Sequence, residues 1–139
     1  MEVEPRLRRA LVARYGSERG REAVAEALGW AWAHWGRVQA MANPVGYLYR
    51  VGQSRTRRRR SVSAPVSASP EMPWVEPGLE RAVAELTESQ RVAVVLVHGF
   101  GWTASEVAEL LDVKTTTVQT HVERALARLR VALEVDHDG

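Results

Sequence analysis

Two capping boxes mark where two helices begin in the second half of this chain of 139 residues. Thr87 is followed three residues later by Gln90, and Thr103 is followed three residues later by Glu106. At this spacing each side chain satisfies a backbone amide that the first helical turn leaves without a partner. Apolar residues recur at helical spacing after each box. The pattern over residues 87–130 therefore predicts two short amphipathic helices and a tight turn leading into a third helix.

The third helix combines an apolar stripe with a polar face. The stripe recurs at helical spacing and consists of Val118, Val122, Ala125, Leu126 and Leu129. The opposite face carries polar side chains at i, i+3, i+4, i+7 and i+8, namely Thr116, Gln119, Thr120, Glu123 and Arg124. Such a set is suited to reading base edges in a major groove, which predicts a DNA-binding helix-turn-helix. An ordinary three-helix bundle with a polar surface is the alternative.

The start of this helix favours the DNA-binding interpretation over the plain bundle. Lys114, Thr115, Thr116 and Thr117 place a cation, hydroxyl groups and free backbone amides together at the start of the helix. A phosphate group is the ligand that such a helix start accepts.

Composition excludes several classes of function. The chain has no cysteine, and its four histidines show no metal-ligand spacing, so we expect neither a metal nor any other cofactor. No apolar run approaches the roughly 18 residues of a membrane span, which predicts a cytoplasmic protein without a membrane partner. No phosphate-binding loop and no nucleophile with its base are present, so we expect no enzyme and no small-molecule substrate.

Charge is divided unevenly along the chain. Residues 1–60 hold 13 arginines against 5 glutamates, whereas residues 61–139 hold 6 basic against 12 acidic residues. A basic first half is typical of a protein that contacts a nucleic-acid backbone or an acidic partner. The run of arginines at 55–60 ends that half, and a phosphate backbone would relieve its self-repulsion.

A proline-rich segment divides the chain into two units. Residues 61–77 contain four prolines among Ser, Ala and Val, which predicts a flexible linker. Neither flanking segment shows strand alternation or an internal repeat. We therefore expect an all-α protein with a helical domain at residues 1–60 and a helix-turn-helix domain at residues 78–139.

The first domain carries three helical patterns. Leu7, Leu11 and Tyr15 predict a short helix that ends at Gly16, and Asn43-Pro44 predicts an N-cap and first residue of a later helix with Val45, Leu48 and Val51 facing inward. Between them, an apolar stripe predicts a core face formed by Val24, Leu28, Trp32 and Trp35. Trp30 lies off that stripe, beside Ala23 and Ala27, and is predicted to be the exposed aromatic that makes a contact.

The order of these parts resembles that of bacterial sigma factors of the extracytoplasmic-function type. The similarity is carried by residues 86–91, 105–111 and 117–130 in the second domain, and by residues 22–32 and 43–51 in the first. The family joins a promoter-melting helical domain through a linker to a helix-turn-helix domain called region 4. The resemblance implies a transcription initiation factor whose partners are promoter DNA and RNA polymerase core, through its beta-prime clamp helices and beta flap. An anti-sigma protein is a further partner that it allows.

The resemblance also implies roles for individual residues. Glu22, Glu26 and Trp30 would face the polymerase clamp, and the loop 37–43 would receive an unstacked base. The melted promoter element would be bound by Asn43, Arg50, Arg55 and Arg57. The upstream element would be bound by Lys114, Thr115, Thr116, Thr117, Gln119, Thr120, Glu123 and Arg124.

Two other interpretations remain open from sequence. Residues 117–122 also resemble the recognition helix of LuxR-type regulators, although residues 5–60 lack the strand patterns of the sensor domains that those regulators carry. A sigma-like decoy or anti-activator is the other interpretation, because Ala25 and Trp30 stand where the family usually has a glutamine and a basic residue.

Overall fold

Helices form all the regular secondary structure in the computed structural model of the protein, which describes residues 3–58 and 77–138. They are α1 (Val3–Tyr15), α2 (Ser17–Ala33), α3 (Trp35–Gln39), α4 (Pro44–Arg58), α5 (Pro77–Ala84), α6 (Glu88–Val94), a π-helical turn (Val95–Gly99), α7 (Ala104–Leu111) and α8 (Thr115–Asp138). The predicted all-α fold is confirmed. The predicted linker lies outside the described residues except for Pro77, which begins α5.

A close approach of α1 and α2 organises the first helical unit. Gly16 adopts φ 88° and reverses the chain between the two helices, a backbone conformation that glycine adopts without strain. One turn into α2, a Cβ atom on Gly20 would lie only 2.6 Å from the Cα atom of Val12. The backbones of α1 and α2 therefore touch at Gly20, and no side chain fits between them.

The buried face of α2 consists of small residues and Val24, so the predicted core stripe is confirmed at Val24 and wrong at its two tryptophans. Ala23, Ala27 and Ala31 are at most 3% exposed, whereas Trp32 is 81% and Trp35 37% exposed. Trp30, predicted to be exposed, is half-buried. The physical reason is the close packing of α1 and α4 against α2, which leaves room for small and medium-sized side chains but not for an indole ring, although a hydrophobicity pattern favours tryptophan for the core.

The N-cap of α4 is confirmed by its hydrogen bond. The Oδ1 atom of Asn43 accepts from the backbone amide of Gly46 at 3.1 Å, and Pro44 follows as the first helical residue. Leu48 and Tyr49 are fully buried against α1 and α2. The buried Gly52 also serves packing, since a Cβ there would lie 2.9 Å from Cδ1 of Leu11.

The second unit packs α5, α6 and α7 around the first half of α8. Its buried core includes Val92, Leu96, Val107, Val118 and Ala125. After the π-helical turn, Gly101 adopts φ 77° and the amide of Trp102 donates to the carbonyl of Leu96 at 2.8 Å. This turn leads the chain back over the core and positions Thr103 to begin α7.

Two arginines connect the two units where α1 meets α6. The Nη2 atom of Arg91 donates to the carbonyl oxygen of Arg14 at 2.6 Å, and its Nη1 atom donates to the carbonyl of Ala84 at 3.3 Å. Arg14 donates to the Tyr49 hydroxyl at 3.1 Å and forms an ion pair with Glu88. Burial lowers the pKa of Arg91, although a guanidinium remains charged at every physiological pH. The interface is therefore held by charged side chains that reach backbone carbonyls.

Substitution Gly20→Ala should destabilise the protein by about 1 to 3 kcal/mol, because the added methyl group would overpack the contact with the Val12 backbone. Gly29 in the same helix is the matched control, since a Cβ there meets nothing within 4 Å. Gly29→Ala should stabilise by about 0.5 to 1 kcal/mol through helix propensity. Urea unfolding of the three proteins measures both changes, and equal effects of the two substitutions would contradict the packing account.

Substitution Arg91→Ala should cost about 2 to 4 kcal/mol of unfolding free energy, because two carbonyls at the interface lose their charged donor. Arg128→Ala is the control, since this exposed arginine makes one hydrogen bond, at 3.1 Å to Gln90, and its removal should cost under about 0.5 kcal/mol. Thermal denaturation followed by circular dichroism compares the two. A loss for Arg91→Ala as small as the control would show that the interface does not depend on it.

Candidate nucleic-acid interface

The helix-turn-helix begins with capping geometry that agrees with the sequence. At α7 the Thr103 hydroxyl accepts from the amide of Glu106 at 3.0 Å, and the Glu106 carboxylate accepts from the amide of Thr103 at 2.9 Å. The capping box of Thr87 and Gln90 at the start of α6 has the same pair of reciprocal hydrogen bonds. The Thr103 amide and the Arg6 side chain lower the pKa of Glu106, so this carboxylate is ionised at neutral pH. Both predicted helix starts are confirmed.

A residue in the left-handed helical conformation makes the turn between α7 and α8. Asp112 adopts φ 58° and ψ 49°, which aspartate tolerates better than most residues. The amide of Val113 then donates to the carbonyl of Ala108 at 3.0 Å, and α8 begins at Thr115. The short turn sets α8 at a fixed angle to α7, which is the arrangement of a DNA-binding helix-turn-helix.

Helix α8 buries one side and presents the other to solvent. Val118 and Ala125 are fully buried and Leu129 is 7% exposed. The predicted reading residues are all exposed, namely Thr116, Gln119, Thr120, Glu123 and Arg124, as are Lys114 and Thr115 at the helix start. Thr117 is half-buried. The Thr120 hydroxyl donates to the carbonyl of Thr116 at 3.0 Å, which leaves its oxygen lone pairs facing outward as acceptors.

The four residues predicted to bind melted DNA differ in their surroundings. Arg50 is exposed on α4, whereas Arg55 forms an ion pair with Glu26 at 3.5 Å. Both polar atoms of the Asn43 amide have partners, because Oδ1 caps α4 and Nδ2 donates to the carbonyl of Glu109 in α7 at 3.1 Å. The Arg57 side chain lies outside the residues whose side chains are described. The structure thus places Asn43 at the contact between the two units.

The three residues predicted to face the polymerase, Glu22, Glu26 and Trp30, line one surface pocket of about 580 Å³ on α2. Glu22 is exposed on α2, but Trp30 stacks on the imidazole ring of His34, with ring centroids 4.3 Å apart, and points toward α4. The exposed face of α2 continues instead through Ala25 and Gly29 to Trp32. The sequence analysis placed Trp32 in the core and not on this exposed face. The signal was present, because residues 22, 25, 29 and 32 are spaced by three and four residues and therefore lie on one face of a helix.

Two further observations concern what the described residues could hold. Across residues 3–58 and 77–138, no cluster of three or more His, Asp or Glu side chains could hold a metal ion. None of the helices in this part of the chain is long and apolar enough to cross a membrane.

A helix-turn-helix with an exposed polar face on its last helix is the arrangement typical of DNA-binding domains. Comparison with protein families identifies the type, because residues 78–129 match Sigma-70, region 4. Among solved structures, the chain is similar to the sigma factor RpoE of Bartonella quintana, which was crystallised with the anti-sigma factor NepR. The TM-score is 0.70 at 21% identity, covering 96% of this chain and 93% of RpoE. A search of curated protein sequences gives no match.

Residues 78–129 therefore match the family model of sigma-70 region 4, and the chain as a whole has the fold of the sigma factor RpoE. The resemblance seen in the sequence is confirmed. The LuxR-type interpretation is not favoured, because the similarity to RpoE extends over both helical units, and neither comparison favours the decoy interpretation.

Proposed function

We propose that this protein binds promoter DNA and RNA polymerase core and directs the polymerase to its start sites. The observation that carries the proposal is the region 4 helix-turn-helix with an exposed reading face on α8, joined to a helical unit that follows the sigma-factor fold. The protein acts by binding, without catalysis of its own, in the cytoplasm where polymerase and chromosomal DNA are found.

Helix α8 reads the upstream promoter element in the major groove. Gln119 has the donor and acceptor pair that suits adenine, Glu123 accepts from the amino group of cytosine, and Arg124 suits guanine or a phosphate. Lys114 and the hydroxyl groups of the three threonines that follow it hold the phosphate backbone and fix the register of the helix. Thr120 adds acceptors beside Gln119.

The melted promoter element is bound by the first unit, through Arg50 and the loop 37–43. Asn43 reaches DNA only after its hydrogen bond to the Glu109 carbonyl breaks, because both of its polar atoms have protein partners. Promoter binding therefore involves separation of α7 from the start of α4. Arg55 exchanges the Glu26 carboxylate for a phosphate in the same step.

Polymerase core is bound by the exposed face of α2, where Glu22 and Trp32 meet the beta-prime clamp helices, with Glu26 at its edge. Trp32 is added to the predicted contact of Trp30, because Trp32 is 81% exposed on this face. The region 4 domain contacts the beta flap. As RpoE is held by NepR, an anti-sigma protein is a further proposed partner.

Substitution Gln119→Ala should reduce discrimination at one base pair of the upstream element by about 1 to 3 kcal/mol, because one bidentate contact to a base is lost. Binding to duplexes that carry each substitution at each position measures this change. Lys114→Ala is the control and should weaken binding to all sequences equally, with a smaller dependence on salt. Uniform weakening by Gln119→Ala would contradict its role in reading a base.

Substitution Trp32→Ala should weaken binding to polymerase core by roughly 30-fold or more, as expected for an exposed tryptophan at the centre of an interface. Val131→Ala is the control, because Val131 is also an exposed apolar residue, 62% accessible, but lies on α8. Titration of labelled protein with a core fragment that carries the beta-prime clamp helices but lacks the beta flap compares the two variants, so that contacts of the region 4 domain do not contribute. Equal affinities would place the clamp contact elsewhere.

A further inference from the structure

Helix α7 of the second unit lies against the start of α4 in the first. The Asn43 side-chain amide donates to the backbone carbonyl of Glu109 in α7 at 3.1 Å. Beside this contact, Arg6 of α1 pairs with Glu106 of α7 at 2.8 Å, and its guanidinium carbon lies 4.2 Å from the centroid of the Trp102 ring. The second unit thus covers Asn43, a residue that the proposed function assigns to melted DNA.

This end of the interface is polar and incompletely packed. A crevice of about 170 Å³ lies between the units here, with Val45 on its α4 wall and Glu109 on its α7 wall. The side chains of Arg6 and Glu106, which also line it, are 30% and 39% exposed. Ion pairs that solvent reaches contribute little net free energy. This end therefore separates at a smaller cost than a closely packed contact.

The other end of the interface, where α1 meets α6, is held more firmly. Arg91 is only 8% exposed and donates to the carbonyl oxygens of Arg14 and Ala84. Arg14 in turn donates to the Tyr49 hydroxyl and pairs with Glu88. Removing a buried charged donor from its acceptors costs more than breaking an exposed pair. The second unit therefore moves most easily about the contact of α1 with α6.

The two surfaces proposed to bind DNA differ in this arrangement. On the reading face of α8, Gln119, Glu123 and Arg124 are exposed, so duplex DNA meets no obstacle there. At the start of α4, Asn43 already has protein partners for both of its polar atoms. A ligand that needs Asn43 free binds only the fraction of molecules in which α7 has moved away, and its apparent affinity falls by that fraction.

We infer that the contact of α7 with the start of α4 is an autoinhibitory gate. The closed protein reads duplex DNA through α8 and withholds Asn43 from a melted strand until α7 moves away, while the contact of α1 with α6 stays in place. The inference rests on the proposed function and adds an order to it, because reading of the upstream element precedes capture of the melted strand.

Substitution Arg6→Ala should strengthen binding to single-stranded DNA, because it weakens the closed form. The probe is a fluorescein-labelled oligonucleotide of about 12 nucleotides, titrated with the full chain and followed by anisotropy. The expected gain is roughly two- to fivefold. Arg8→Ala is the matched control, since Arg8 pairs with Glu4 inside α1, and loss of its charge should leave binding unchanged or slightly weaker. An affinity of Arg6→Ala no higher than that of Arg8→Ala would overturn the inference.

A reversible cross-link tests the gate without removing its contacts. The chain has no cysteine, so two introduced thiols react selectively. Val45→Cys and Glu109→Cys together place one thiol on each wall of the crevice, and a thiol-reactive cross-linker with a cleavable disulfide holds them together. The linked protein should bind the oligonucleotide at least about tenfold more weakly than the same protein after cleavage. Its affinity for duplex DNA should stay within about twofold, because the reading face is exposed in the closed form.

Each single-cysteine variant treated with the same reagent shows what modification alone does. Equal single-strand affinity before and after cleavage of the cross-link, or no single-strand binding in either form, would refute the gate. These assays contain no polymerase and no promoter. Absence of new start sites in a transcription assay would therefore refute the proposed function and leave the result on the gate standing.

Discussion

The contact between α1 and α6 is the interaction on which the arrangement of the two helical units depends. The last turn of α1 leaves carbonyl groups without helical partners, and Arg91 of α6 donates to one of them, the carbonyl of Arg14. Arg14 extends in the other direction and reaches Tyr49 and Glu88. Elements far apart in sequence, α1, α4 and α6, are thereby joined through two side chains. The adjoining cation-π contact of Arg6 with Trp102, 4.2 Å from its ring centroid, continues the same interface.

The contact between the two units leaves the predicted reading face of α8 exposed and covers Asn43. The reading face of α8 points away from the interface, so Gln119, Glu123 and Arg124 are exposed while the units are in contact. Asn43 is covered, because its amide donates to α7. Exposed and half-buried ion pairs such as that of Arg6 with Glu106 contribute little net free energy, and salt weakens them. The interface also contains apolar packing, because the buried residues of the two units form one continuous hydrophobic core.

Local chemistry made much of the fold predictable from the sequence. The capping boxes at Thr87 and Thr103, the turn at Asp112 and the N-cap at Asn43 each depend on residues within one helical turn. The faces of α8 were equally predictable, since a single periodicity separates Val118 and Ala125 from the polar positions.

What the sequence did not reveal depends on contacts between distant segments. The assignment of Trp32 to the core failed because Gly20 and three alanines form the close contact, and the space that α1 leaves determines which face of α2 is buried. The burial of Arg91 and the partner of Asn43 were not predictable from local sequence, because their acceptors lie 77 and 66 residues away.

Run-off transcription from a genomic DNA library by core polymerase, with and without the purified protein, tests the central claim most directly. The account predicts new start sites that share an upstream sequence motif and that disappear when α8 carries substitutions on its reading face. A protein that binds both core polymerase and DNA yet produces no new start sites would contradict it and indicate a decoy instead.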